Sequence, residues 1–267
     1  MSEQPKVALR KATTRKGRIY FCLTLLILSA LYIAAFATTP FGVSSSAASP
    51  LDTLRRIFIV PITNMEYIVQ FPSYIELMIE TIAIAFAGVI VATILAIPVS
   101  FLAARNISRN FSYVGKAILN IIRAIPELIF AIIFVAAVGI GPYAGVLAIS
   151  INSIGMLGKL YAEVIESIDM SNVDAIRASG GNRIQSIWYG VLPQVLPEFS
   201  SYSIYRFEID VRASTVLGVV GAGGIGTPLI FATYQRNWEE VGMILIVVVV
   251  FVSLIDIISG KIRKKMV

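Results

Sequence analysis

The apolar positions of this chain fall in long uncharged runs, not in the alternation of half-buried strands. Residues 19–37 hold nineteen positions without a charge, 81–104 hold twenty-four, and 128–158 hold thirty-one. A helix needs about 20 such residues to cross a hydrocarbon core. The first two runs therefore predict one span each, while the third is too long for one crossing and too short for two. Its GIGPYAG stretch at 139–145 favours a turn, which predicts helices over 117–138 and 143–160. Two more are expected over 197–218 and 241–259, for about six spans in an all-α integral membrane protein. The 38–73 segment, rich in Ser, Ala and Pro, is expected to be an outside connection with short helices.

Composition agrees. Hydrophobic residues make up 57% of the chain and charged residues 14%, against roughly 25% charged in an average globular protein. So few polar groups cannot cover a folded surface, so lipid must. The absence of His excludes histidine metal ligands and proton relays. The single Cys22 excludes an intrachain disulfide.

The net charge of +6 is explained by its placement. With the N-terminus inside, the cytoplasmic segments hold Lys6, Arg10, Lys11, Arg15, Lys16, Arg18, Arg105, Arg109, Lys116, Lys159, Arg177, Arg183, Lys261, Arg263, Lys264 and Lys265. The outside holds only Arg55, Arg56 and Arg236. This positive-inside bias predicts both termini in the cytoplasm (1–18 and 261–267), a core over 74–260, and no nucleic-acid partner. The first apolar run exceeds the roughly 7–15 residues of a cleavable signal, so 19–37 is expected to remain as a helix.

Residues 221–226 satisfy G-x-G-x-x-G, the dinucleotide fingerprint, but that pattern works between a strand and a helix. Here a span-length apolar stretch precedes it and another span follows, which excludes a nucleotide fold. Two readings stay open for five glycines in nine residues, 218–226. They permit close helix packing, or they break a helix at membrane depth, where irregular backbone must line a cavity or be buried in protein.

Just before them, Arg206, Glu208, Asp210 and Arg212 lie within one span, where a charge costs about 2.5–3.5 kcal/mol near the centre. Arg206 with Asp210, and Glu208 with Arg212, stand at i,i+4. The pairs point about 200° apart, so such a helix should be surrounded by protein. Arg123 and Glu127 repeat the spacing beside Pro126. Glu76 and Glu80 are placed at an outer mouth, Asp256 at the inner end of the last span. These charges either neutralise one another and fix packing, or the arginines face an anion pathway.

The longest inside connection, 161–196, reads as two short helices joined by Gly180-Gly181. Ser171 with Asp174 suggests a capping box opening the first. Asp174, Ala175, Gly180, Leu192 and Pro193 stand at the spacing of the EAA loop of permease subunits from ABC-type importers, which this stretch resembles. It departs with Asp for Glu, Ile176 for the second Ala, and Gly190 for an apolar residue. RAIPEL at 123–128 and the 205–226 stretch resemble the phosphonate/phosphite/phosphate-type branch of that family.

The resemblance implies a type I importer permease fold in a bacterial cytoplasmic (inner) membrane. It also implies a homodimer, two cytoplasmic ATPase subunits that bind ATP and Mg, and an extracytoplasmic substrate-binding protein. Residues 174–176, 180, 192 and 193 would couple to the ATPase. Arg123, Glu127, Arg206, Glu208, Arg212, Gly221, Gly223 and Gly224 would line the pathway. The chain itself has no G-x-x-x-x-G-K-[ST] loop, so it is read as a transport subunit without a cofactor or enzyme activity of its own. The expected cargo is a phosphorus oxyanion. The alternatives are another small solute such as an amino acid, or an ion-coupled carrier using Glu127 or Glu208.

Overall fold

The computed structural model describes residues 15–38 and 49–266. Lys6, Arg10 and Lys11 of the expected basic terminus, part of the 38–73 connection, and Val267 lie outside the described residues. The chain divides into two units, Met1–Ser49 and Pro50–Val267. The first holds one described helix, α1 (Arg15–Thr38), over the first expected span.

The second unit is helical throughout its described residues. In order come α2 (Pro50–Phe58), α3 (Val60–Thr63), α4 (Met65–Ala103), α5 (Ser112–Ala124), α6 (Glu127–Val138) and α7 (Pro142–Ser167). They are followed by α8 (Met170–Ala178), α9 (Arg183–Gln185), α10 (Leu192–Leu217), α11 (Gly226–Tyr234) and α12 (Trp238–Met266). α1, α4, α7 and α12 are each long and apolar enough to cross a membrane. α5 and α6 are so only together, as a pair bent by 83°. α10 has the length, but Arg206, Glu208, Asp210 and Arg212 hold it apart from the others. It counts as a span only if those charges are sheltered.

Two boundaries differ from expectation. α4 begins at Met65, inside the segment read as an outside connection, because Glu76 and Glu80 interrupt the charge-free run without ending the helix. The expected continuous helix over 117–138 is broken at Ile125–Pro126. Proline disfavours the helical region for the residue before it, and Ile125 is extended (ψ 123°). The break after α6 falls where the glycines place it. Gly139 and Gly141 have φ of +93° and +145°, and Pro142 takes the first turn of α7, where its missing N–H costs nothing.

α7 is the central helix. Its small residues admit neighbours at close range, the usual basis of helix association where lipid removes the hydrophobic drive. A Cβ on Gly158 would strike Leu119 of α5, and one on Gly155 would come within 2.8 Å of Ile122. One apolar core joins Ala92, Ala96 and Ala104 to Leu157, Tyr161, Ile165, Val173, Val191 and Val195. A second joins Met78 and Ala85 to Val211, Ile225, Ile244 and Val247. A third gathers Ile84, Phe130, Ala148, Ile149, Leu217 and Ala222 around the glycine segment. Together these cores bury the Arg206, Glu208 and Asp210 positions of α10, while Tyr205, Arg212 and Val216 stay exposed.

A Cβ on Gly226 would collide with the Thr215 carbonyl oxygen and lie 2.8 Å from the Gly218 Cα, both backbone. Gly226→Ala is therefore expected to cost about 1–3 kcal/mol. Gly260, in α12, has nothing within 4 Å of the same position. Gly260→Ala should be neutral or stabilising by up to about 1 kcal/mol. Thermal unfolding of the purified chain in mild detergent checks both; equal melting points would mean the glycine segment tolerates a methyl group.

Candidate functional site

The four charges of α10 divide between two faces. On one, Arg206 Nη2 lies 2.7 Å from Asp210 Oδ1 and 3.6 Å from Glu127 Oε2 of α6. Arg206 Nε donates to Ser153 Oγ of α7 (2.9 Å), whose hydroxyl donates to Asp210 Oδ2 (2.6 Å). Asn152 donates to Glu127 Oε2 (2.9 Å). Arg206 is 6% exposed and Asp210 fully buried. One guanidinium thus faces two carboxylates, and Glu127 Oε1 is a buried oxygen without a hydrogen-bond donor.

On the other face Arg212 Nη2 donates to Glu208 Oε1 (2.7 Å), and Arg263 of α12 donates to Glu208 Oε2 (3.0 Å). Asp256 of α12 stands 3.6 Å from Arg212. Two acids and two bases balance here. Both i,i+4 pairs of α10 form as the spacing predicts. The third does not: the break at Ile125–Pro126 swings Glu127 away from Arg123, and Glu127 pairs with Arg206 instead. Arg123 is exposed, without an ion pair among the described residues. It borders a cavity of about 280 Å³ that also reaches Asn152, Lys159, Glu163 and Arg206.

The glycine segment is a broken helix. α10 stops at Leu217, and Gly221, Gly223 and Gly224 have φ of +85°, +86° and +74°, a region costly for any residue with a Cβ. Its amides find partners on α4. Gly224 N–H donates to Glu80 Oε1 (3.1 Å) and Ile225 N–H to the Thr81 hydroxyl (2.9 Å). Gly221 O accepts from Gly141 N–H at 2.9 Å. Close packing and a broken helix, the two readings left open by the sequence, are both realised.

In the loop, the N-cap of α8 is Asp169, not Ser171. Asp169 accepts from the Ser171 N–H (2.9 Å) and hydroxyl (2.8 Å), and these bonds hold its carboxyl below the usual carboxylate range. The expected capping box of Ser171 and Asp174 is absent, because α8 starts one residue before Ser171. Asp174 instead lies near Arg177 (3.4 Å). A capping box does occur at Asn182 and Gln185. α8 ends in a Schellman motif: Gly181 N–H donates to Ile176 O (2.9 Å) and Gly180 N–H to Arg177 O (3.0 Å), with Gly180 at φ +85°.

After α9 the chain widens into a π-type turn over Ser186–Val191 that runs into α10. Gly190 lies there directly against α8, where a Cβ would stand 3.2 Å from both Ile176 Cδ1 and the Val173 Cα. Two of the three departures from the loop pattern, Ile176 and Gly190, are thus one feature. The larger residue on α8 fills the space left by the smaller one opposite. Leu192 is half-buried and Pro193 exposed in the first turn of α10. Ser153, Asn152, Glu80, Thr81, Lys159 and Arg263 are site residues that the sequence reading missed. None of these six carried a local signal; the Asn182–Gln185 capping box, also missed, did. Among the described residues no group of His, Cys, Asp or Glu gathers that could hold a metal ion.

Residues 96–267 match the family described as "binding-protein-dependent transport system inner membrane component". The chain is 46% identical over 194 residues to the phosphite transport system permease protein PtxC of Stutzerimonas stutzeri, covering 72% of this chain and 70% of that one. It is 42% identical over 190 residues to the phosphate-import permease protein PhnE of Mycolicibacterium smegmatis, covering 70% of this chain and 36% of that one. A chain of the MetNI methionine ABC transporter, solved in inward-facing conformations, shares the fold. Its TM-score is 0.64 at 23% identity, and the match covers 73% of this chain and 96% of that one.

Because two acids share Arg206, the cluster should respond unequally to losing one partner. Arg206→Met leaves two carboxylates buried together and is expected to cost about 3–5 kcal/mol. Asp210→Asn leaves Arg206 paired with Glu127 and should cost clearly less. Thermal unfolding in detergent measures both, and the reverse order would remove the shared-base arrangement.

Proposed function

The chain belongs to the family of binding-protein-dependent transport system inner membrane components, and on that premise we propose that two copies of it form the translocation pathway of an ATP-driven importer of a phosphorus oxyanion. It is a multi-pass inner-membrane permease subunit and not an enzyme. The observation that carries the cargo is the identity of 42–46% to phosphite and phosphate permeases over some seven-tenths of the chain. An amino-acid cargo is the runner-up; the methionine transporter chain, at 23% identity, speaks for the fold alone.

Two cytoplasmic ATPase subunits bind ATP and Mg and dock on the 161–196 loop. What supports this is its build. α8 carries Asp174, Ala175 and Ile176, is closed rigidly at Gly180, and is anchored below by Val173 and Val191. Beside it Ile184, Trp188 and Tyr189 are 76%, 61% and 69% exposed. Large apolar side chains outside the expected spans ask for a protein cover. A groove of about 380 Å³ between Ala175, Ile176, Gln185 and Tyr189 suits a protruding partner residue. Closure of the ATPases on ATP would shift the inward/outward equilibrium through this rigid element.

The pathway residues are Arg123, Glu127, Arg206, Glu208 and Arg212, with Gly221, Gly223 and Gly224 as the irregular backbone beside them. Arg suits the oxygens of phosphite or phosphate, and an extracytoplasmic binding protein delivers the cargo. Glu127 and Glu208, the acids an ion-coupled carrier would need, each lie against an arginine, which argues for the pump.

Affinity purification from the native host should recover a P-loop ATPase with the wild-type chain and lose it, together with uptake, in Gly180→Arg. Position 180 has open space within 4 Å but a φ of +85°, so the variant strains the turn after α8, outside the expected spans, and should still insert; normal uptake would end the docking role. Orientation is tested by thiol labelling in a Cys22→Ser background. Arg55→Cys and Arg177→Cys should label from opposite sides, and same-side labelling would overturn the topology.

A further inference from the structure

Resting on the permease reading, the geometry points to an oxyanion site within the permease itself, in the cavity of about 280 Å³ bounded by Arg123, Asn152, Lys159, Glu163 and Arg206. Three cations reach it from three helices: Arg123 from the end of α5, Lys159 from α7 and Arg206 from α10. They differ in how far their charge is already answered. Arg206 is held from behind by Asp210 and Glu127 and forms a fixed wall. Arg123 has no ion pair among the described residues. Among the described residues Lys159 has an ion pair with Glu163 alone, at 3.8 Å, with their side chains 47% and 57% exposed.

Arg123 is also placed by the backbone opposite. A Cβ on Gly155 would come within 3.0 Å of Arg123 Cγ, so glycine there lets the arginine stem lie against α7. The cavity is large enough for several waters. A phosphite or phosphate ion fits with part of its hydration shell kept. A neutral solute would leave Arg123 unanswered.

The balance of charge makes this a weak site. Arg123, Lys159 and Arg206 face Glu163, Glu127 and Asp210, so the surroundings are neutral as a whole. An entering oxyanion gains mainly from the two cations with little else to bind. Weak binding suits a pathway, where an ion must leave as readily as it enters. A second cavity of about 200 Å³ shares Lys159 and Glu163, and continues to Lys116, Asn120 and Glu166. Lys159 therefore stands between two adjoining chambers and can pass the ion from one to the next.

The test uses the complete transporter without its binding protein, in phosphatidylcholine nanodiscs, with sodium phosphite as the probe and thermal unfolding as the readout. Millimolar phosphite should raise the unfolding temperature of the wild type. Losing one charge-assisted hydrogen bond in Arg123→Gln or Lys159→Gln should raise the half-saturating concentration about tenfold or more. Each variant's unfolding in phosphite-free buffer serves as its fold control. No shift in the wild type, or a shift in both variants at the same phosphite concentration as in the wild type, would overturn the site. A shift abolished by adding phosphatidylglycerol would assign the pocket to a lipid headgroup phosphate and overturn it as well. Phosphite uptake with the binding protein present is measured in parallel. Uptake without any shift removes this site and leaves the cargo; no uptake removes both.

Discussion

The packing around α10 depends on pairing the charges it buries, Arg206, Glu208 and Asp210. A lone ion at membrane depth is expensive, so each one recruits partners, and the partners dictate the packing. Arg206 takes Asp210 from its own helix, Ser153 from α7 and Glu127 from α6. Glu208 takes Arg212 and then Arg263 from the far end of α12. Such pairs add little net stability against a well-packed apolar core, but losing one partner is costly. Their effect is to fix which face of α10 meets which neighbour. The bend at Ile125–Pro126 belongs to the same solution, since a straight helix would have paired Glu127 with Arg123.

The glycine segment obeys a related rule for backbone. Its left-handed turns leave amides that a helix would have satisfied, and membrane depth offers no water to take them. Glu80 and Thr81, one turn of α4, accept two of those N–H groups, and the carbonyl of Gly221 caps the start of α7. Irregular chain survives here because a neighbouring helix carries the acceptors it lacks.

Much of this was legible in the sequence, for reasons that differ by feature. Runs of apolar residues located the helices, and Gly and Pro located the breaks at 139–142 and 180–181, because these signals act within a few residues. The i,i+4 pairs of α10 were equally local. The failures share the opposite property. Ser153 is a lone hydroxyl in an apolar helix until Arg206 is brought against it. Nothing in the neighbouring residues of Glu80 shows that it accepts from a glycine amide, and nothing beside Lys159 in the sequence shows the cavity it borders. Two local misreadings remain. Pro126 should have warned that Ile125 could not stay helical, and Asp169 competed better than Ser171 for the first amides of α8.

The length of α4 gives it a mechanical character. Between Glu80, which holds the glycine segment, and Ala96, which sits in the apolar core shared with Val173 and Val191 of the loop, lie sixteen helical steps, or about 24 Å. No proline interrupts that interval; Pro72 and Pro98 fall outside it. α4 is thus an unbroken rod between the apolar core that includes Val173 and Val191 of the loop and the glycine segment. A small shift of the loop would arrive at the glycine segment undiminished by bending, and Pro98, just beyond the loop end, is where such a rod would flex.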